Sequence, residues 1–191
     1  MTTLAVHDRA VLADAVPGAW IRDAVLVVAG AGLTGLAAQA SITIPAISPV
    51  PFTLQTMAVL VVGASLGPIR GLLSMGLYLV AGGLGVPWFA QQGHGWGGAS
   101  FGYIVGFLIA AVVVGELARH GNDRSVLSSI GVMAVGEVIT LAVGTTWLAA
   151  DLHLDSATAI GLGVTPFLVW DLIKLVAAAL LLPGAWKLVR R

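Results

Sequence analysis

Six apolar stretches, separated by short polar or glycine-rich segments, run along this chain. They cover about residues 24–44, 53–67, 69–84, 101–117, 126–148 and 166–189. A membrane-spanning helix needs ~20 mostly apolar residues. Four stretches meet that length. The second and third are short, a length tolerated where flanking backbone lines a cavity in the protein instead of lipid. The pattern predicts an all-α integral membrane protein with six transmembrane helices.

Charge placement adds topology. Arg9 and Arg22 precede the first stretch, Arg70 separates the second from the third, and Arg119 and Arg124 separate the fourth from the fifth. Lys187, Arg190 and Arg191 close the sixth. The connections at 41–51, 85–100 and 151–165 carry no Lys or Arg. Every basic residue except Lys174 therefore falls on one side, which the positive-inside rule makes cytoplasmic. Both termini are expected inside, with 1–22 a cytoplasmic N-terminal segment and 23–191 one six-helix domain. Ala38-Gln39-Ala40 resembles a signal-peptidase site. The length before it and the acids Asp14 and Asp23 argue against cleavage.

Composition agrees. Only 9% of the 191 residues are charged and 58% are hydrophobic, with mean hydropathy +0.99. A soluble domain carries roughly 25% charged residues. A net charge of zero gives no reason to expect a nucleic-acid partner. The absence of cysteine excludes disulfides and thiolate chemistry. No GxxxxGK[ST] loop is present, so the chain does not hydrolyse ATP by that route. His7, His94, His120 and His153 lie in separate polar segments and read as solvated loop residues. No nucleophile–base set points to an enzyme.

The sixth stretch holds PFLVWDLIK, with Asp171 and Lys174 three residues apart on one helix face. Counting from Pro166, they lie roughly 8 and 12 Å below the outer helix end. An ionisable residue at mid-helix costs roughly 2.5–3.5 kcal/mol, so the pair marks a functional site, with an ion pair that only fixes packing as the alternative. An ammonium suits a carboxylate, and a carboxylate accepts from N–H or O–H donors. The pair thus suits a small ligand with an acid at one end and donors elsewhere. Glu137, in the fifth stretch, either faces the same cavity or pairs with an arginine nearer the cytoplasm.

Outside the helices, 82–103 is rich in glycine and aromatics, including Trp88, Phe89, Trp96, Phe101 and Tyr103. It reads either as a ligand cover or as an interfacial belt; Trp20 and Trp147 are assigned to the belt. Gln55 and Thr53 stand at the outer mouth of the second stretch. In the first stretch, Ala31 and Gly35 form part of a small-residue face that packs internally or against another protein.

Taken in order, VPFTLQT, LGPIRG, GGLGVPWFA, GGASFGY and PFLVWDLIK resemble the BioY family, the biotin-specific substrate-binding (S) components of energy-coupling factor (ECF) transporters. The likeness covers Val50 to about Lys174. It implies the ECF S-component fold, with a biotin pocket near the outer face. Asp171 and Lys174 become the family's D-x-x-K pair, with Lys174 assigned to the ligand carboxylate. Asp171 then positions Lys174 or accepts ligand N–H. Gln55, Tyr103, Phe89 and the loop glycines Gly83 and Gly85 supply further contacts, and the loop acts as a lid. Biotin is cargo, and no cofactor is expected. The partners implied are a transmembrane T component and two ATPase subunits, whose ATP hydrolysis tilts the S component, with Ala31 and Gly35 as the docking surface. Val169 and Trp170 depart from the family's PFLPGD pattern, and Thr140 stands where the family often has tyrosine. The rivals are an S component for another vitamin, a proton-coupled carrier using Asp171 and Glu137, and a purely structural subunit.

Overall fold

In the computed structural model, which describes residues 10–15, 18 and 20–189, the regular structure among the described residues is helical apart from one two-residue strand pair. The helices are α1 (Trp20–Gln39), α2 (Gln55–Leu66), α3 (Pro68–Gly83), α4 (Phe101–Arg119), α5 (Val126–Asp151), α6 (Ser156–Gly163) and α7 (Leu168–Val189). Among the described residues, Trp20–Gln39, Phe101–Arg119, Val126–Asp151 and the joined stretch Ser156–Leu188 are long and apolar enough to cross a membrane. The first helix begins four residues before its expected start and ends earlier, because residues 41–42 leave it to form β1 (Ser41–Ile42). This strand pairs antiparallel with β2 (Phe52–Thr53), Ser41 opposite Thr53. The connection expected at 151–165 contains α6. Its signal was legible: Asp155 accepts from the amides of Ala157 and Thr158, an N-cap in front of an apolar octet.

A single residue, Gly67, joins α2 to α3. Its φ of 82° is left-handed, which glycine adopts without strain, and Pro68 then opens α3 at a position that needs no N–H. At this end of the bundle Arg70 pairs with Asp23 at 3.2 Å and with Asp14. The buried Val11 and Ala13 join the core beside it. Within residues 10–15, Val11 and Ala13 thus pack onto the helices. At the same end Trp186 of α7 donates to Asp123 at 2.6 Å, and Arg124 lies over the Trp186 ring at 5.3 Å. Arg9, Arg190 and Arg191 of the charge pattern, and His7, lie outside the described residues.

Apolar residues fill both the interior and the exterior. Val59, Tyr78, Met75 and Phe107 pack between α1, α2, α3 and α4; Leu60, Val114, Met133 and Leu182 pack between α2, α4, α5 and α7. Outward, Val25, Val28, Leu36, Leu73, Val138, Leu172, Ile173 and Leu180 are all more than half exposed. Helices apolar all round are buried in protein on one side and lipid on the other.

The helices approach closely where glycines sit. A Cβ on Gly115 would lie 2.6 Å from the backbone of Gly67 and Pro68, and one on Gly63 would lie 2.9 Å from the Ala111 backbone. Small residues at helix crossings permit this proximity in membranes. The same logic places Ala31 and Gly35, expected at a docking surface, inside the fold. Ala31 is fully buried, and Trp88 covers Gly35, its ring 3.3 Å from where a Cβ would stand. The small face of α1 packs inward because Trp88 needs a flat bed and Gly30 must admit Ser74.

Candidate ligand site

A cavity opens between the loop-bearing ends of α2, α4, α5 and α7. Gln55, Thr56, Tyr103, Glu137, Asp171 and Lys174 line it, with Phe89 and Phe107 among its apolar walls. Local structure explains how each polar group arrives. Gln55 is the first residue of α2, and its backbone N–H is held by the Thr53 hydroxyl at 3.1 Å. A 3-10 turn over Thr165–Phe167, with Pro166 at its start, leads directly into α7 and puts Asp171 in the first turn. Lys174 then follows on the same face.

Asp171 and Lys174 form an ion pair, each 4% exposed. Lys174 Nζ also donates to the Thr56 hydroxyl at 2.6 Å and to the Thr53 carbonyl at 3.0 Å. An ammonium has three donors, and Asp171, Thr56 and Thr53 take all three. Lys174, expected at a ligand carboxylate, lines the cavity with its N–H groups directed to these three protein partners. Glu137 resolves its two alternatives towards the cavity. It is 6% exposed, lines the same wall, and acts electrostatically on both Asp171 and Lys174.

The other expected residues divide. Gln55, 5% exposed, donates from Nε2 to the Tyr78 hydroxyl at 2.8 Å, and Tyr78 donates to the Trp88 carbonyl at 3.1 Å. Tyr103 lines the cavity while its hydroxyl donates to the Gly163 carbonyl at 2.8 Å, tying α4 to α6. Phe89 is buried edge-on against Tyr78. Gly83 and Gly85 stay outside the lining. Gly83 lies beneath the Trp96 ring, and Gly85, at φ 112°, turns the chain out of α3. They shape the loop and leave contact to Ala90, Gly93, His94 and Ser100, which line the cavity from that loop. Trp170 is 42% exposed and faces outward beside Ile42 and Phe52. Thr140 is buried and bonds the Gly136 carbonyl at 3.0 Å; from the next turns of α5, Glu137 and Leu141 reach the cavity instead.

Sequence reasoning missed Thr56 and Tyr78. The first differs from Thr53 only by its place one helical step inside α2. The second sits mid-helix in an apolar run, and a buried tyrosine needs a partner for its hydroxyl. The cover over the cavity is also more ordered than a glycine-rich stretch suggests. Gln39 Nε2 reaches the Trp88 and Phe89 carbonyls at 3.1 and 3.3 Å, and Phe89 and Gly93 form an antiparallel bridge.

The BioY family profile matches residues 6–191, nearly the whole chain. The chain belongs to the BioY family. Among BioY relatives, the biotin transporter BioY of Thermotoga maritima is 37% identical over 159 residues, covering 82% of this chain and 92% of that protein. A probable biotin transporter BioY from Pyrococcus horikoshii is also 37% identical, over 78% of this chain and 86% of that one. The fold is that of a crystallised S component for biotin from an ECF-type ABC transporter. The two superimpose with a TM-score of 0.79 at 22% identity, over 87% of this chain and 92% of that one. As a member of the BioY family, the chain is a transporter component and not an enzyme.

Proposed function

We propose that this chain captures biotin at the outer face of a bacterial cytoplasmic membrane and serves as the S component of an ECF-type transporter. The observation that carries the reading is the buried Asp171–Lys174 pair on the wall of a cavity that also has apolar and aromatic sides. Biotin combines a cyclic urea, an apolar thiophane ring and chain, and a carboxylate, and the site offers acceptors, an apolar wall and a loop mouth. Asp171, Lys174, Gln55, Tyr103 and Phe89 are the proposed pocket residues, and biotin is cargo, not a cofactor.

Six membrane crossings with both termini cytoplasmic fit the one-sided basic residues, with the short α2 and α3 buried among longer helices. A chain with a binding cavity and no nucleotide loop needs an external engine, here a transmembrane T component and two ATPase subunits. With Ala31 and Gly35 covered, the apolar outer face of α1, around Val25, Val28 and Leu36, is the part of that helix open to such a partner.

Uptake tests this reading. Biotin-auxotrophic cells carrying the chain with an energising module should accumulate labelled biotin saturably, with competition by unlabelled biotin and not by thiamin. Collapsing the proton gradient while ATP is maintained should leave uptake in place. No accumulation from a chain that reaches the membrane would refute the proposal. Loss of uptake with the gradient would favour the ion-coupled carrier, which the proximity of Glu137 to Asp171 otherwise supports.

A further inference from the structure

The cavity contains one more carboxyl group than its lysine can serve. Asp171 Oδ1 is occupied by Lys174, but no hydrogen-bond donor satisfies it beyond that ion pair, and buried Glu137 Oε1 has none at all. Lys174 cannot supply both, since Thr56 and Thr53 hold its remaining hydrogens. The Glu137 and Asp171 side chains hydrogen-bond to one another, two carboxyls sharing one proton, which leaves Glu137 Oε1 and Asp171 Oδ1 as adjoining acceptors on one wall of a cavity, and leaving buried acceptors without donors is costly. What the wall lacks is a pair of N–H donors. It is also a poor place for a second anion, because Lys174 is already paired with Asp171 and its other N–H groups are held by Thr53 and Thr56.

We propose that Glu137 is a ligand-contacting residue that sets specificity and orientation: with Asp171 it accepts the two N–H groups of a cyclic urea. The urea head then lies deepest and the ligand carboxylate points to the loop mouth. The inference rests on biotin being the ligand. A urea carries two N–H donors flanking one carbonyl, matching two carboxyl acceptors on adjacent helices, α5 and α7. The Thr56 hydroxyl accepts from Lys174 and keeps its own hydrogen, which suits the urea carbonyl. At the mouth, Ser100 and His94 line the cavity from the loop and offer the carboxylate polar partners away from the acidic wall. Lys174 becomes a positioning residue: it holds Asp171 in the acceptor orientation and neutralises one of the two acids.

The test compares ligands across variants of the purified full chain in detergent. Wild type and Glu137→Met are titrated with biotin, with biotin methylated on a urea nitrogen, and with biotin methyl ester. Methionine keeps the length of the side chain but removes both oxygens. Glu137→Met should weaken biotin roughly 10- to 100-fold and shrink the penalty for urea methylation. The smaller penalty for esterification should stay as in wild type. Melting of the ligand-free proteins separates binding loss from misfolding. Should the variant not fold, biotin labelled with nitrogen-15 in its urea and bound to wild type reads the same contact: its N–H protons should be shifted downfield and protected from exchange. Equal affinity of wild type and Glu137→Met for biotin would overturn this inference alone, because no oxygen of Glu137 would then be accepting from the ligand. Exchanging, solvent-like urea protons would do the same. Failure of wild type to bind biotin would overturn the ligand reading and this inference together.

Discussion

Lys174→Ala is expected to abolish measurable biotin capture and to lower stability by roughly 3–5 kcal/mol. The reason is the wall it leaves behind. Lys174 is the cation facing Asp171 and Glu137, all three nearly fully buried. Without it Asp171 becomes an uncompensated charge beside a second acid, and the Thr53 carbonyl and Thr56 hydroxyl lose their donor. Breaking a buried pair from one side is far worse than replacing both members with apolar groups. The double change Asp171→Leu with Lys174→Met should therefore recover much of the stability and none of the binding. Thermal melts and ligand titrations of the three proteins check this. A Lys174→Ala chain that melts like wild type and still binds biotin would show that the pair is incidental.

The second large effect is expected far from any charge. Gly144→Ala should destabilise the chain by about 1–3 kcal/mol and weaken biotin at least about tenfold. A Cβ there would stand 2.3 Å from Cγ and Cδ1 of Tyr103, at the base of the ring, where rotation cannot clear it. Either α4 withdraws from α5 or the ring swings within the cavity it lines. Its hydroxyl then leaves the Gly163 carbonyl without a donor. Gly131→Ala, in the same helix, meets nothing within 4 Å. That change should be neutral or slightly stabilising, as glycine-to-alanine changes are in open helix positions. Equal behaviour of the two variants would mean that the α4–α5 packing does not set the site.

These two residues show what was legible in the sequence. Asp171 and Lys174 stood out because charge inside an apolar run has no other reason to exist, and their spacing fixed a common face. Helix positions were likewise clear, since apolar runs end at turns such as Gly67-Pro68. The role of Lys174 was not legible. Whether an ammonium is free for a ligand depends on what else it touches, and Thr53 and Thr56 come from more than 110 positions earlier in the chain. Glu137 could not be assigned for the same reason, because depth along α5 says nothing about rotation around it. The small-residue signal was real but misplaced. In α1 it serves Trp88, while the close crossings that frame the cavity belong to Gly102, Gly106 and Gly144, in a chain where 25 glycines make any one of them unremarkable. Gly83 and Gly85 were expected at the ligand because glycine permits close approach, but here they serve the loop's own turns.

The most direct measurement is calorimetric titration of the purified single chain with biotin, read alongside tryptophan fluorescence from Trp88 and Trp96 in the cover. The account predicts saturable one-to-one binding without any partner protein, with a fluorescence change, and loss of both signals in Lys174→Ala. A folded wild-type chain that gives neither heat nor a fluorescence change would contradict it.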